Sequence, residues 1–130
     1  MPIYLYTGVD RAKAVQRLAM SVAGMQQPAM VVTFGTLDEG ELLAHYARVL
    51  PLEVARIRLP GLGLPLSNTP ADEVVVQTAF TLLRQIVAGG DYRLVVLNGI
   101  REAVSRRLVD VGELHRIVES ASDRTQIAMT

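Results

Sequence analysis

The sequence predicts an α/β fold in which a central, mostly parallel sheet of about five strands carries helices on both faces. Three observations lead there. Five short apolar runs, at residues 3–6, 29–34, 54–59, 94–97 and 127–129, are nearly continuous rather than alternating. Such runs suit strands buried on both faces. Longer stretches between them space their apolar residues at helical intervals. Strand and helix thus alternate roughly five times, the order that right-handed crossovers convert into a parallel sheet.

The first strand runs into the turn residues Thr7-Gly8. The helix that follows places Val15, Leu18, Ala19 and Val22 at i, i+3, i+4, i+7, and Gly24 supplies a stop. After the second strand, Leu42, Leu43, Tyr46, Val49 and Leu50 repeat the pattern less regularly, up to Pro51. The third helix is the clearest, with Val76, Ala79, Phe80, Leu83, Ile86 and Val87 on one face. Thr69 is its expected cap, Pro70 its first-turn residue and Gly89-Gly90 its end. A last helix opens at Asp110, with Glu113 placed for a capping box and Val111, Leu114, Ile117 and Val118 facing inward. The apolar segment 60–68, Pro-Gly-Leu-Gly-Leu-Pro-Leu-Ser-Asn, reads either as a loop folded over the core or as an apolar wall for a ligand.

Composition narrows the function classes. The chain has 130 residues, enough for a single domain spanning 1–130; half are hydrophobic and a fifth charged, which argues against disorder. Thirteen basic residues balance thirteen acidic ones, so no net charge draws the protein to nucleic acid or an anionic membrane. Without cysteine there is no disulfide, thiolate metal site or thiol nucleophile. His45 and His115 are far apart in sequence, and no metal centre is expected from them. Residues 2–7 do not resemble a signal peptide, and no apolar run reaches the roughly 18 residues of a membrane span, so a cytoplasmic location is expected. Met20, Met25, Met30 and Met129 read as core or edge filling.

In an open α/β sheet, ligands bind outside the carboxyl ends of the strands. Those ends are Thr7-Gly8, Phe34-Gly35, Leu59-Pro60 and Asn98-Gly99, three of them followed by glycine. After the first, the chain reads Tyr6-Thr7-Gly8-Val9-Asp10-Arg11-Ala12-Lys13-Ala14-Val15. A strand, a glycine turn, a lysine and a helix start form the frame of a phosphate-binding loop, in which backbone N–H groups and the helix dipole face the anion. Lys13 is the only lysine beside twelve arginines. Its other reading is a surface lysine at a helix start. The loop departs from the full motif: Ala12 stands where a glycine belongs, and Ala14 and Val15 stand where hydroxyls would help hold magnesium.

Over nearly its whole length the chain resembles the P-loop type of ATP:corrinoid adenosyltransferase, enzymes that transfer a 5′-deoxyadenosyl group from ATP to cobalt. The resemblance rests on Tyr6-Thr7-Gly8, on Arg11 to Val15 against the family's Lys-Gly-Lys-Thr-Thr, and on Val31-Val32-Thr33-Phe34 against its Val-Val-Gln-Phe. It continues through Gly40-Glu41, the strand Leu94-Val95-Val96-Leu97, and an ungapped register from Asn98 through Leu108-Val109-Asp110-Val111 to Thr130. Relative to the family, these residues begin at the first strand and end ahead of a Gly-Arg pair and tail. The resemblance implies a three-layer P-loop NTPase-like fold, with Gly8, Arg11 and Lys13 contacting nucleotide phosphates. It implies a corrinoid substrate beside Pro60, Gly61, Leu62 and Gly63, and a homodimer. It also puts Asn98-Gly99 where the family carries an Asp-Glu pair that serves the metal, so Asn98 marks a former metal-acid position. With loop threonines and acidic pair both replaced, the expectation is a degenerate member of that family, weak or inactive as a catalyst, that retains nucleotide or corrinoid binding; whether it is an enzyme stays open. Two other readings stand beside it. One is an active adenosyltransferase with a rewired metal site using Asp10, Glu39 or Glu102. The other is a regulatory or protein-interaction module on the same fold, with Arg101, Arg106 and Arg107 as a basic patch.

Overall fold

The computed structural model describes residues 3–5, 7, 11–34, 48–57, 70–105 and 109–130, with backbone alone at 11–12, 56–57 and 70–76. In chain order the elements are β1 (Ile3–Leu5), α1 (Arg11–Gly24), β2 (Ala29–Phe34), β3 (Leu52–Ile57), α2 (Pro70–Gly89), β4 (Leu94–Asn98), α3 (Ile100–Ser105), α4 (Val111–Ser120) and β5 (Gln126–Met129). The five strands form one sheet in the order β1-β5-β4-β2-β3, and every pairing is parallel. The expected α/β architecture with a parallel five-stranded sheet is therefore present.

The order of strands explains where the helices lie. From β1 to β2 the chain moves across the sheet in one direction; from β3 to β4 and from β4 to β5 it moves in the other. Right-handed crossovers taken in opposite directions put their helices on opposite faces. Two separate cores confirm this. Val15, Ala19, Val22 and Ala23 of α1 pack with Ala29, Val31, Leu52, Leu94, Val96 and Ala128. On the other face Phe80, Leu83 and Val87 of α2, Ile100 and Ala103 of α3, and Ile117 of α4 pack with Met30, Val32, Phe34, Val95, Leu97 and Ile127. Successive strand residues alternate between the two cores, as the pleat requires.

The central strands match their apolar runs. β2 and β4 are buried throughout, and each buried Val or Leu side chain there contributes about 1.5–3 kcal/mol. The edges differ. β1 was expected to be buried on both faces, yet Ile3, Tyr4 and Leu5 are all exposed, because β1 pairs with β5 alone and α1 packs on β2, β4 and β3. β3, described over Leu52–Ile57, begins two residues before the expected residue 54, since its register follows β2 from Ala29↔Leu52 to Phe34↔Ile57; the expected end at residues 58–59 lies outside the described residues.

The helix ends show how backbone groups are satisfied. α1 reaches Gly24, but the left-handed residue that closes it is Gln26, at φ 62°. Gln26 N–H donates to Ala23 O and Gln27 N–H to Val22 O, the paired bonds of a Schellman turn, so the helix ends at Gly24 as expected while the left-handed position falls on Gln26. α2 starts at Pro70 as expected and ends at Gly89, followed by Gly90 at φ 73°. Its expected cap, Thr69, lies outside the described residues. Asp110 caps α4 by accepting from Gly112 N–H at 3.3 Å. The capping-box expectation fails on its second half, since the Glu113 carboxylate pairs with Arg116 one turn along. Val111, expected to face inward, is 62% exposed, while Ile117 is fully buried and Leu114 and Val118 are half-buried. Of the expected methionine filling, Met30 is buried and Met20 and Met129 half-buried, whereas Met25 is exposed. Most of the irregular second helix expected over residues 42–50 lies outside the described residues. None of the described helices is long and apolar enough to cross a membrane.

Candidate functional site

All strands run the same way, so their carboxyl ends, Leu5, Phe34, Ile57, Asn98 and Met129, share one edge. α1 returns antiparallel to the strands it joins, which puts its first turn on that same edge. Between the neighbours β2 and β4 the chain departs in opposite directions, toward β3 and toward β5. This divergence is the topological switch point at which ligands enter open α/β sheets.

At the carboxyl ends of the three inner strands, polar side chains gather on the α1 face. Thr33 lies between Val32 and Phe34, both in the α2–α4 core, so its side chain belongs to the α1 face. Asn98 follows Leu97, also of the α2–α4 core, and so sits on the α1 face in register with Thr33. Thr130 directly follows β5 and reaches Asn98 from the other side. Thr33, Asn98 and Thr130 are 8%, 6% and 2% exposed, so three polar side chains form a buried row at the carboxyl edge of the α1 face.

Thr130 is fastened by four hydrogen bonds. Its N–H donates to Leu97 O at 3.1 Å, and its main-chain oxygen accepts from Arg101 N–H at 3.1 Å. Its hydroxyl oxygen accepts from Gly99 N–H at 2.7 Å and donates to Asn98 Oδ1 at 2.8 Å. Buried polar groups satisfied this completely fix a geometry, because breaking any one strands its partner. Gly99 completes the turn at φ 85°, where a Cβ would stand 2.6 Å from Phe34 O. The backbones of β2 and the β4–α3 turn therefore touch at the switch point, which only glycine permits.

The sequence-derived site residues divide as follows. Asn98 is at the carboxyl edge, buried and hydrogen-bonded. Lys13 is in the first turn of α1 and exposed, with no ion pair among the described residues. Arg11 opens α1, with only its backbone described. Gly8, the loop residues Pro60, Gly61, Leu62 and Gly63, and Asp10, Glu39, Arg106 and Arg107 lie outside the described residues. Glu102 and Arg101 are exposed on α3. Sequence reasoning missed Thr130, since only the strand order, with β5 between β1 and β4, brings it to Asn98. It also missed an open cavity of about 380 Å³ at the opposite, amino edge, lined by Val22, Met25, Gln27, Arg93 and Gln126.

No known family model matches the chain, and no curated protein matches it.

Proposed function

We propose that the carboxyl edge on the α1 face binds the phosphates of a nucleotide, in a domain of the ATP:corrinoid adenosyltransferase type that has lost adenosyl transfer. The observation that carries this reading is the buried row Thr33–Asn98–Thr130 at the switch point of an all-parallel sheet, on the face and at the edge where α1 begins with Lys13 in its first turn. The dipole of α1, with the N–H groups that open any α-helix without an intrahelical partner, favours an anion there. Gly8 and Arg11 join Lys13 as phosphate contacts, and a corrinoid, where bound, lies along Pro60 to Gly63. The magnesium ion that accompanies ATP in such enzymes does not suit the described donors. Asn98 supplies a neutral amide oxygen already engaged by Thr130, and no three acidic, His or Cys side chains come together among the described residues. Magnesium favours carboxylate anchors. Loss of such charge-assisted contacts costs on the order of 2–4 kcal/mol each in transition-state stabilisation, which is the basis for assigning binding without turnover.

The test is thermal unfolding with and without millimolar ATP, on the wild type and on Lys13→Ala. A ligand at a hundredfold excess over its dissociation constant stabilises by about 2.7 kcal/mol, several degrees for a domain of this size. The expected result is a rise in Tm that Lys13→Ala removes. An unchanged Tm in the wild type would refute nucleotide binding at this affinity. A second reading, a protein-interaction module, draws on the exposed apolar strand β1. It predicts no ATP response and loss of partner binding in Tyr4→Lys.

A further inference from the structure

The orientation of the Asn98 amide says which kind of ligand atom it can meet. Thr130 Oγ1 already accepts from Gly99 N–H at 2.7 Å, so its own proton needs an acceptor. Asn98 Oδ1 is that acceptor, at 2.8 Å. The alternative orientation, with Nδ2 toward Thr130, would place a second donor on the hydroxyl and leave its proton without this partner. Asn98 is therefore held with its oxygen spent on Thr130 and its donor end, Nδ2, on the arm turned away from β5. The side chain is only 6% exposed, so this orientation is set by the protein and not by solvent.

We infer that Asn98 makes the switch point a metal-independent oxyanion site, in which Nδ2 donates directly to a phosphate oxygen. This rests on the phosphate-binding reading above and narrows it. A carboxylate at the end of β4 would repel a phosphate unless a divalent cation stood between them. An amide whose oxygen is held by Thr130 and whose other arm is a donor removes both the repulsion and the anchor for the cation. Lys13 at the start of α1 supplies positive charge on the same edge. The ligand class is a di- or triphosphate free of divalent metal, and Thr130 is the positioning residue that keeps the amide from turning.

The experiment is calorimetric titration of ATP and of inorganic pyrophosphate into the whole chain, once in EDTA and once in excess magnesium. It is repeated on Asn98→Asp, which keeps an acceptor for the Thr130 hydroxyl and so preserves the local fold. The wild type is expected to bind in EDTA at least as tightly as in magnesium. Asn98→Asp is expected to lose roughly tenfold or more in EDTA, the scale of one hydrogen bond to a charged group, and to regain affinity with magnesium. In the wild type, the Asn98 side-chain NH₂ resonances should shift on titration, which a purely structural amide would not show. Magnesium-dependent binding by the wild type, or equal binding by Asn98→Asp in EDTA, would overturn the inference while leaving phosphate binding intact. Absence of binding in both buffers would overturn phosphate binding and this inference with it.

Discussion

The two faces of the sheet are built for different tasks. The α2–α4 face is bulky: Phe34 and Phe80 stack with ring centroids 5.7 Å apart, and Leu83, Leu97, Ile100, Ile117 and Ile127 close around them. The α1 face is made of Ala19, Ala23, Ala29, Ala128 and valines, with Leu52 and Leu94. Small residues bring the α1 backbone close to the sheet, and the same face carries the polar row Thr33–Asn98–Thr130 at its carboxyl end. Bulk apolar packing is thus concentrated on one side, while the buried polar row of the carboxyl edge lies on the other, where a ligand would meet backbone N–H groups. Stability and binding should be separable by mutation.

The largest expected effect comes from Phe80→Ala. Phe80 is 2% exposed, and truncation should cost about 3–5 kcal/mol in urea-unfolding free energy. It should leave the ATP-induced stabilisation of the surviving folded protein unchanged; a lost response would show that the faces are not independent. Gly99→Ala comes next. A left-handed alanine costs roughly 1–2 kcal/mol, and a Cβ 2.6 Å from a backbone oxygen adds overpacking of about 1–3 kcal/mol. Here stability and ATP response should fall together, since the turn holds Asn98 and Thr130 in place; wild-type stability would contradict the close approach.

The smallest effect concerns pH. Tyr92, packed against the α2–α4 core, donates its hydroxyl to Glu53 Oε2 at 2.6 Å. Burial first, then the Glu53 carboxylate, pushes its pKa up from 10.0 to about 12. The folded state thus holds this proton more tightly than the unfolded chain does. Its stabilising contribution is complete below pH 10 and is lost as pH rises toward 12. The difference in unfolding free energy between wild type and Tyr92→Phe should shrink over that window, and a constant difference would sink the assignment.

How much was legible in the sequence follows the same division. Continuous apolar runs gave β2, β4 and β5 to within a residue, because strands covered on both faces must be apolar throughout. The edge strands were read less well. Neighbours on one side only left β1 exposed, and pairing with β2 starts β3 two residues early, at Leu52 beside Pro51. Gln26 and Val111 departed from pattern for local reasons: a glutamine took the left-handed position, and α4 turned its first apolar residue outward. At the edge, Asn98 was legible as one of four strand ends and, through the family resemblance, as a former metal-acid position. Thr130 was not, because nothing local to residues 126–130 says which strand will stand beside them.

The central claim is that a phosphate-bearing ligand enters at the carboxyl edge on the α1 face. Amide ¹⁵N–¹H mapping of the whole chain during an ATP titration tests it most directly. The account predicts shifts at Gly99, Arg101 and Thr130 and in the first turn of α1, with Gln27, Arg93 and Gln126 unmoved at the other end of the sheet. Shifts confined to those three residues would place the ligand in the amino-edge cavity and contradict the claim.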